Sequence, residues 1–299
     1  MSITADIGLV VLFVLAFGNG ANDVGKSIVA LMTDPETATF RPRYSPLVWG
    51  GIFSGLGSVA AILISVRLFS AFTPQSFLQT APGSSFILAA LAGAAAWILL
   101  ATLLRIQVST THAIVGAIIV QAVYLLGASS LQWDFLIWRI LLPLAAGPFA
   151  AFVGVYVLSR LSHRRGAEAS ETSSGRVGIA DWGSAAGVAF ARGVNDAPKM
   201  AALGTFLLLG TPEDTVWLPY VIVGVAVVAG SLVWGDRVAK TLIGHTPQQR
   251  GHRLKAHAKK GRQFLRSALR GMATAWMVTL PMAGLFAIAA SILGARFWG

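Results

Sequence analysis

Long apolar stretches recur along the whole of this 299-residue chain and limit its fold more than any other feature. A bilayer core about 30 Å thick is crossed by a helix of about 20 apolar residues. Only 12% of the residues are charged, whereas a soluble domain has roughly 25%. We therefore predict an all-α polytopic protein that crosses the cell (inner) membrane several times. The apolar segments lie at about 7–32, 46–66, 85–104, 113–127, 135–159, 183–209, 216–234 and 271–293.

The chain has a formal net charge of +11, but the position of its bases argues against nucleic-acid binding. Lys and Arg gather between apolar segments, in 160–165 and 237–270, as they do in cytoplasmic loops of membrane proteins. The sequence contains no cysteine, which excludes disulfides and thiolate metal sites. We expect the chain to contact the lipid bilayer and no nucleic acid.

The two halves of the chain match each other at one constant offset, the repeat offset, which superposes Asn22 on Asn195. Matches of Gly and Ala are common by chance in this composition, but Asn, Asp, Lys and Pro are scarce in it. The matches therefore indicate a duplication. The other superposed pairs are Phe17 and Phe190, Gly20 and Gly193, Asp23 and Asp196, Lys26 and Lys199, Pro46 and Pro219, Gly51 and Gly224, Gly57 and Gly230, and Ser58 and Ser231.

A polar stretch at 162–181 divides the chain and is typical of a linker. We predict a first membrane repeat at 1–161, a cytoplasmic linker at 162–181 and a second, shortened membrane repeat at 182–299. The second repeat includes a basic cytoplasmic loop at 237–270.

The charge of equivalent loops predicts that the repeats have inverted topology. The loop at 33–45 contains Arg41 and Arg43, whereas its counterpart at 210–216 contains acidic charges and no base. Since bases accumulate on the cytoplasmic side, we place these two loops on opposite sides of the membrane. Inverted repeats are the plan of many secondary transporters.

An Asn-Asp pair interrupts one apolar segment in each repeat, at Asn22-Asp23 and at Asn195-Asp196. A carboxylate at membrane depth costs about 2.5 to 3.5 kcal/mol on insertion scales, so it faces a cavity, a cation or a base. Because glycines flank both pairs, we predict discontinuous helices whose freed carbonyls coordinate a cation. All four residues are candidate ion ligands, and both asparagines are candidate substrate ligands. Alternatively, the asparagines cap ordinary helices and the aspartates form structural ion pairs.

Lys26 and Lys199 follow the two aspartates by three residues and are candidate charge partners, because this spacing places both side chains on one helix face. In one interpretation, the pair makes each charge tolerable in the membrane. In the other, the ammonium helps to hold an anion or stands where a coupling cation would sit.

Three successive hydroxyl residues, Ser109, Thr110 and Thr111, lie between apolar segments. Their neutral donors could replace the water shell of a tetrahedral oxyanion, or they could simply cap the following helix. His112 is expected to be structural, because no second metal-ligating residue lies at a suitable spacing. No P-loop, Rossmann pattern or nucleophilic triad is recognisable, so we do not expect an enzyme or a cofactor.

Three motifs resemble signatures of the inorganic phosphate transporter (PiT) family: residues 20–24 (GANDV), 108–116 (VSTTHAIVG) and 190–196 (FARGVND). The resemblance implies a secondary transporter of phosphate, coupled to Na+ or H+, with inverted repeats and a re-entrant hairpin in each half. It also implies that the hydroxyls of Ser109–Thr111 contact phosphate and that both Asn-Asp pairs line the ion and substrate site. A Na+ at Asp23 and Asp196 is then the only metal expected. Some members of the family carry sulfate.

The sequence departs from the family pattern at two places. The second Ser-Thr-Thr-His hairpin is missing, and the stretch at 244–270 is basic where the family is apolar. Lys26 stands where many relatives have a small polar residue. The predicted function is phosphate transport. The anion site is then one-sided, impaired, or completed by another subunit, in which case the chain forms a homodimer. A sulfate or other oxyanion permease, and a non-transporting membrane partner or sensor, are the alternatives.

Overall fold

A computed structural model describes residues 3–34, 41–164, 177–209, 217–243 and 277–296 of the chain. Within these ranges, five helices are long and apolar enough to cross a membrane. The prediction of an all-α polytopic protein is thereby confirmed. The five helices are Ile3–Ile28, Tyr44–Ile64, Ser84–Leu103, Leu218–Leu242 and Met277–Arg296.

The helices follow the predicted apolar segments closely, although the segment predicted at 113–127 begins earlier, at Thr110. A π-helical stretch, Leu136–Leu141, connects the helices Trp133–Phe135 and Leu142–Arg164. The α-helices are α1 (Ile3–Ile28), α2 (Tyr44–Ile64), α3 (Val66–Ala71), α4 (Pro74–Phe77), α5 (Ser84–Leu103), α6 (Thr110–Leu126), α7 (Trp133–Phe135), α8 (Leu142–Arg164), α9 (Ile179–Leu207), α10 (Leu218–Ile243) and α11 (Met277–Arg296).

Large apolar side chains lie on the outer surface of the helices as well as in the core. Leu63 of α2 is 85% exposed and Phe149 of α8 is 66% exposed. Such residues are unfavourable in water but suit the acyl chains of a bilayer. The interior is made of smaller residues and aliphatic side chains, which allow helices to approach closely. Examples are Ala16, Leu91, Ala94, Ile114, Ala201 and Val223.

Helices of one half of the chain pack on helices of the other half. Helix α1 of the first half packs on α10 of the second, and α9 of the second half packs on α2 of the first. At the first contact, a Cβ on Gly230 would overlap the carbonyl oxygen of Phe17. At the second, a Cβ on Gly57 would overlap the carbonyl oxygen of Phe190. These two contacts are equivalent at the repeat offset, as expected for repeats related by a two-fold axis.

The prediction of discontinuous helices is wrong for both Asn-Asp pairs. Helix α1 runs without a break through Asn22 and Asp23, and α9 runs through Asn195 and Asp196. The glycines before these pairs serve close packing: a Cβ on Gly20 would overlap the backbone of Val227. These glycines therefore allow neighbouring helices to pack closely and do not unwind the helices that contain them.

Pro198 lies inside α9 and does not break it. Proline has no N–H, so it leaves the carbonyl oxygen of Val194 without its helical partner. The hydroxyl of Ser65, at the end of α2, donates to this oxygen over 3.0 Å. This bond from a neighbouring helix satisfies the backbone group that the proline exposes, as membrane helices require.

Helices α5 and α6 form a hairpin whose tip is the segment 104–109. At the end of α5, the N–H of Ile106 donates to the carbonyl of Ala101 over 2.7 Å, and Arg105 has a φ of 61°. This geometry is a Schellman motif with an arginine where glycine is usual. Helix α11 packs along the hairpin, where a Cβ on Gly116 would overlap the backbone of Leu280.

Two of the predicted segments lie largely outside the described residues. Helix α8 ends at Arg164 and α9 begins at Ile179, so the predicted linker at 162–181 is described only at its two ends. The basic loop predicted at 237–270 begins within α10, and its part from 244 onward is not among the described residues.

Candidate functional site

A cavity of about 370 Å³ lies between α1, the start of α6 and α9. It brings together the hydroxyl run and both aspartates, which lie far apart in the sequence and belong to different halves of the chain. Arg192 and Asp196 also line a second, smaller pocket against α2 and α10. The residues that line the larger cavity are Asp23, Lys26, Ser109, Thr110, Thr111, Val188, Ala191, Arg192, Asn195 and Asp196.

Asp23 of α1 is bound by two cations at once. The ammonium of Lys26 contacts its Oδ1, and the guanidinium of Arg192 contacts its Oδ2. Lys26 also donates to the carbonyl oxygen of Val108, at the hairpin tip, over 3.2 Å. Asp23 and Lys26 are thus paired in the structure, and Arg192 adds a partner from the other half of the chain.

Arg192 is a residue that the sequence analysis did not assign to the site. Two signals pointed to it: it is a base inside an apolar segment, and it precedes Asn195 by three residues. At the repeat offset its counterpart is Asn19, a neutral residue. The two halves of the chain therefore differ in charge at the position that faces Asp23.

Asp196 of α9 is bound by residues of its own helix. Its Oδ1 lies 3.0 Å from Nζ of Lys199 and accepts a hydrogen bond of 3.1 Å from the amide of Asn195. Lys199 donates to Oγ1 of Thr111 in α6 over 2.7 Å. Asp196 and Lys199 are thus also paired, and the ammonium connects the pair to the hydroxyl run.

The hydrogen bonds of the hydroxyl run determine which hydroxyls can donate to a ligand. Ser109 is the N-cap of α6 and accepts from the N–H of His112 over 3.4 Å. Thr111 accepts from Lys199, whereas Thr110 donates its proton to the amide oxygen of Asn19. A hydroxyl that accepts still has its proton to give. Ser109 and Thr111 are therefore the donors that the run offers to the cavity.

Asn22 does not line the cavity, unlike Asn195. Its amide nitrogen donates to Oγ1 of Thr102 over 3.1 Å and to the carbonyl oxygen of Ile106 over 2.9 Å. Its amide oxygen accepts from the N–H of Val108 over 3.1 Å. These three bonds hold the end of α5 and the hairpin tip against α1, which is the geometry of a positioning residue.

Three cations and two carboxylates surround the cavity. Lys26, Arg192 and Lys199 face Asp23 and Asp196, which leaves an excess of one positive charge at the site. Within the described ranges, no three His, Asp or Glu side chains form a group that could hold a metal ion. The electrostatics of the site therefore suit an anion, which the two hydroxyls could bind as neutral donors.

The sequence and the fold both match known phosphate transporters. A family model described as "Phosphate transporter family" matches residues 19–176. A "Probable low-affinity inorganic phosphate transporter" from Mycobacterium leprae is 26% identical over 92% of this chain and 75% of the relative. A protein of the same name from Mycobacterium tuberculosis H37Rv is 28% identical over 93% of this chain and 75% of the relative.

A solved structure has the same fold. It is described as "The sodium-dependent phosphate transporter", and it superposes with a TM-score of 0.75 over the full length of both chains. The sequence identity is 15%. The hairpin and the paired aspartates described above therefore lie in an architecture that is already known.

Proposed function

The chain is a multi-pass membrane protein of the phosphate transporter family, and we propose that it transports inorganic phosphate as a secondary transporter coupled to Na+ or H+. Its relatives are transporters rather than enzymes. The single observation that carries the proposal is the convergence of both repeats on one cavity: the hydroxyls of the first half meet Asp196 and Arg192 of the second.

The donors of the cavity match the chemistry of phosphate. We propose that Ser109 and Thr111 donate to phosphate oxygens, as their acceptor bonds leave both protons available. The amide of Asn195 lies at the cavity wall and adds a further donor. Neutral donors beside cations of the chain bind an anion without forming a covalent bond, so that release on the other side remains possible.

The packing of helices of one half of the chain on helices of the other half supports a mechanism of alternating access. We propose that residues 1–161 and 182–299 are inverted repeats, and that they move against each other around the fixed cavity. The equivalent contacts at Gly230 and Gly57 are the places where such a movement would pivot, because the backbones touch there. Asn22 would keep the hairpin tip in register with α1 during the movement.

Uptake into liposomes tests the proposed function. Purified protein is reconstituted and supplied with labelled phosphate under a Na+ gradient or a proton gradient, with unlabelled phosphate or sulfate as competitor. Phosphate uptake that unlabelled phosphate suppresses and sulfate does not is expected. Stronger suppression by sulfate would identify a sulfate permease, and the absence of uptake under every gradient would favour the non-transporting partner.

Two substitutions and one control connect the uptake to the cavity. Asp23→Asn and Asp196→Asn should each abolish uptake, since the first leaves the half-buried Lys26 and Arg192 without their carboxylate and the second does the same to the buried Lys199. Asp6→Asn is the matched control, because Asp6 lies in the same helix as Asp23 but at the exposed surface. Uptake that survives both cavity substitutions would contradict the assignment of the site.

A further inference from the structure

Asp23 is occupied by cations that belong to the chain itself. Lys26 contacts Oδ1 and Arg192 contacts Oδ2, so both carboxylate oxygens already have a cationic partner. A sodium ion at this position would need the same oxygens. It would also bring a third positive charge to a single carboxylate.

The helix backbone around Asp23 offers no free carbonyl as a replacement ligand. Cation sites in transporters with broken helices use carbonyls that an unwound turn sets free. Helix α1 is continuous from Ile3 to Ile28, so its carbonyls near Asp23 remain within the helix. The same is true of α9 around Asp196, where Ser65 already donates to the one carbonyl that Pro198 leaves open. The residues at Asp23 thus do not fit a bound sodium ion.

On the basis of the proposed function, we infer that Lys26 and Arg192 are tethered cations that replace a coupling sodium ion at Asp23, so that phosphate binding does not depend on Na+. The excess of one positive charge around the cavity then comes from side chains rather than from a cotransported ion. Arg192 lines the cavity and is also placed to attract the substrate anion. Its Nε–H has no hydrogen-bond partner among the described residues.

Phosphate binding by the purified full-length protein in detergent measures the dependence on sodium. Labelled phosphate is dialysed to equilibrium against the protein in NaCl or in choline chloride at equal ionic strength. The dissociation constants in the two salts should agree within about twofold. An affinity that rises fivefold or more in NaCl would overturn the inference.

The double variant Lys26→Asn/Arg192→Gln tests the role of the two side chains. It leaves Asp23 without a tethered cation, so its phosphate binding should be weak in choline chloride and recover at least fivefold in NaCl. The control double variant Lys240→Asn/Arg67→Gln makes the same chemical changes at exposed positions away from the cavity. It should bind as the wild type does in both salts. A cavity variant that remains indifferent to Na+ would count against the inference.

Thermal unfolding without phosphate separates the inference from the proposed function. A cation that binds the folded state stabilises it. If no Na+ binds at Asp23, NaCl should not raise the melting temperature of the wild type above its value in choline chloride. A rise that saturates with Na+ would overturn the inference, whether or not the protein binds phosphate. The failure of phosphate to bind in either salt would instead contradict the proposed function.

Discussion

The ammonium nitrogen of Lys199 lies 2.7 Å from the hydroxyl oxygen of Thr111, although 88 residues separate them. Lys26, its counterpart at the repeat offset, donates to the carbonyl of Val108 at the tip of the same hairpin. Each lysine also contacts the aspartate of its own helix. One hairpin is therefore connected to the charge pairs of both halves of the chain, which makes it the centre of the site.

Lys199→Met should weaken both the fold and the site. Lys199 is 4% exposed and Asp196 is 8% exposed, so the substitution leaves a buried carboxylate without its cation. Breaking such a pair costs about 3 to 5 kcal/mol, which thermal unfolding in detergent would detect. Adding Asp196→Asn to Lys199→Met should recover part of the lost stability. A double variant that is less stable than Lys199→Met would contradict this account of the pair.

The three hydroxyls should contribute unequally to phosphate binding. Ser109→Ala and Thr111→Val each remove a donor from the cavity, and each should weaken phosphate binding by roughly 10- to 150-fold, since a hydrogen bond to a charged group is worth about 1.5 to 3 kcal/mol. Thr110→Val removes a proton that is given to Asn19, so it should lower stability more than affinity. Binding and melting measurements on the three variants check the order. A larger loss of affinity in Thr110→Val would refute it.

Asn22→Leu should release the hairpin from α1. It removes three hydrogen bonds at a residue that is 1% exposed, and it leaves the N–H of Val108 and the carbonyl of Ile106 unpaired. We expect a loss of about 2 to 4 kcal/mol and no uptake. Thr102→Val removes one of the three bonds and is the graded control. The prediction fails if both variants lose stability equally.

Gly230→Ala should separate α10 from α1. The added Cβ would overlap the carbonyl oxygen of Phe17, which belongs to a helix backbone and cannot move aside cheaply. Gly57→Ala should have the same effect on α2 and α9. Gly187→Ala in α9 is the matched control, because the space around that glycine is open. The control should be neutral or more stable by up to about 1 kcal/mol, while both packing variants should melt at lower temperatures.

Arg105→Gly should stabilise the hairpin. Arg105 has a φ of 61°, a conformation that costs a residue with a Cβ roughly 1 kcal/mol and costs glycine almost nothing. The side chain is exposed, so few contacts are lost. The melting temperature should rise or remain unchanged. A clear fall would show that the guanidinium makes a stabilising contribution of its own.

Much of the site followed from spacing within one helix. The i, i+3 separation of Asp23 and Lys26, repeated in Asp196 and Lys199, was sufficient to predict both charge pairs, because the α-helix places such residues on one face. The duplication was also visible as matching residues, and the apolar segments gave the helices. Local periodicity carries this information, so the sequence by itself determined the helices and the chemistry that they hold.

The tertiary structure decided which helices meet, and this changed the meaning of several residues. Along the chain, Gly20 predicts a break in the helix. In the structure, the absence of a side chain at Gly20 lets α1 lie directly against the backbone of Val227. Asn22 had the character of a ligand, yet its amide binds the end of α5 and the hairpin tip. Arg192 reaches Asp23 across 169 residues. Such pairings depend on helix packing between the two halves, and no periodicity within a single segment encodes them.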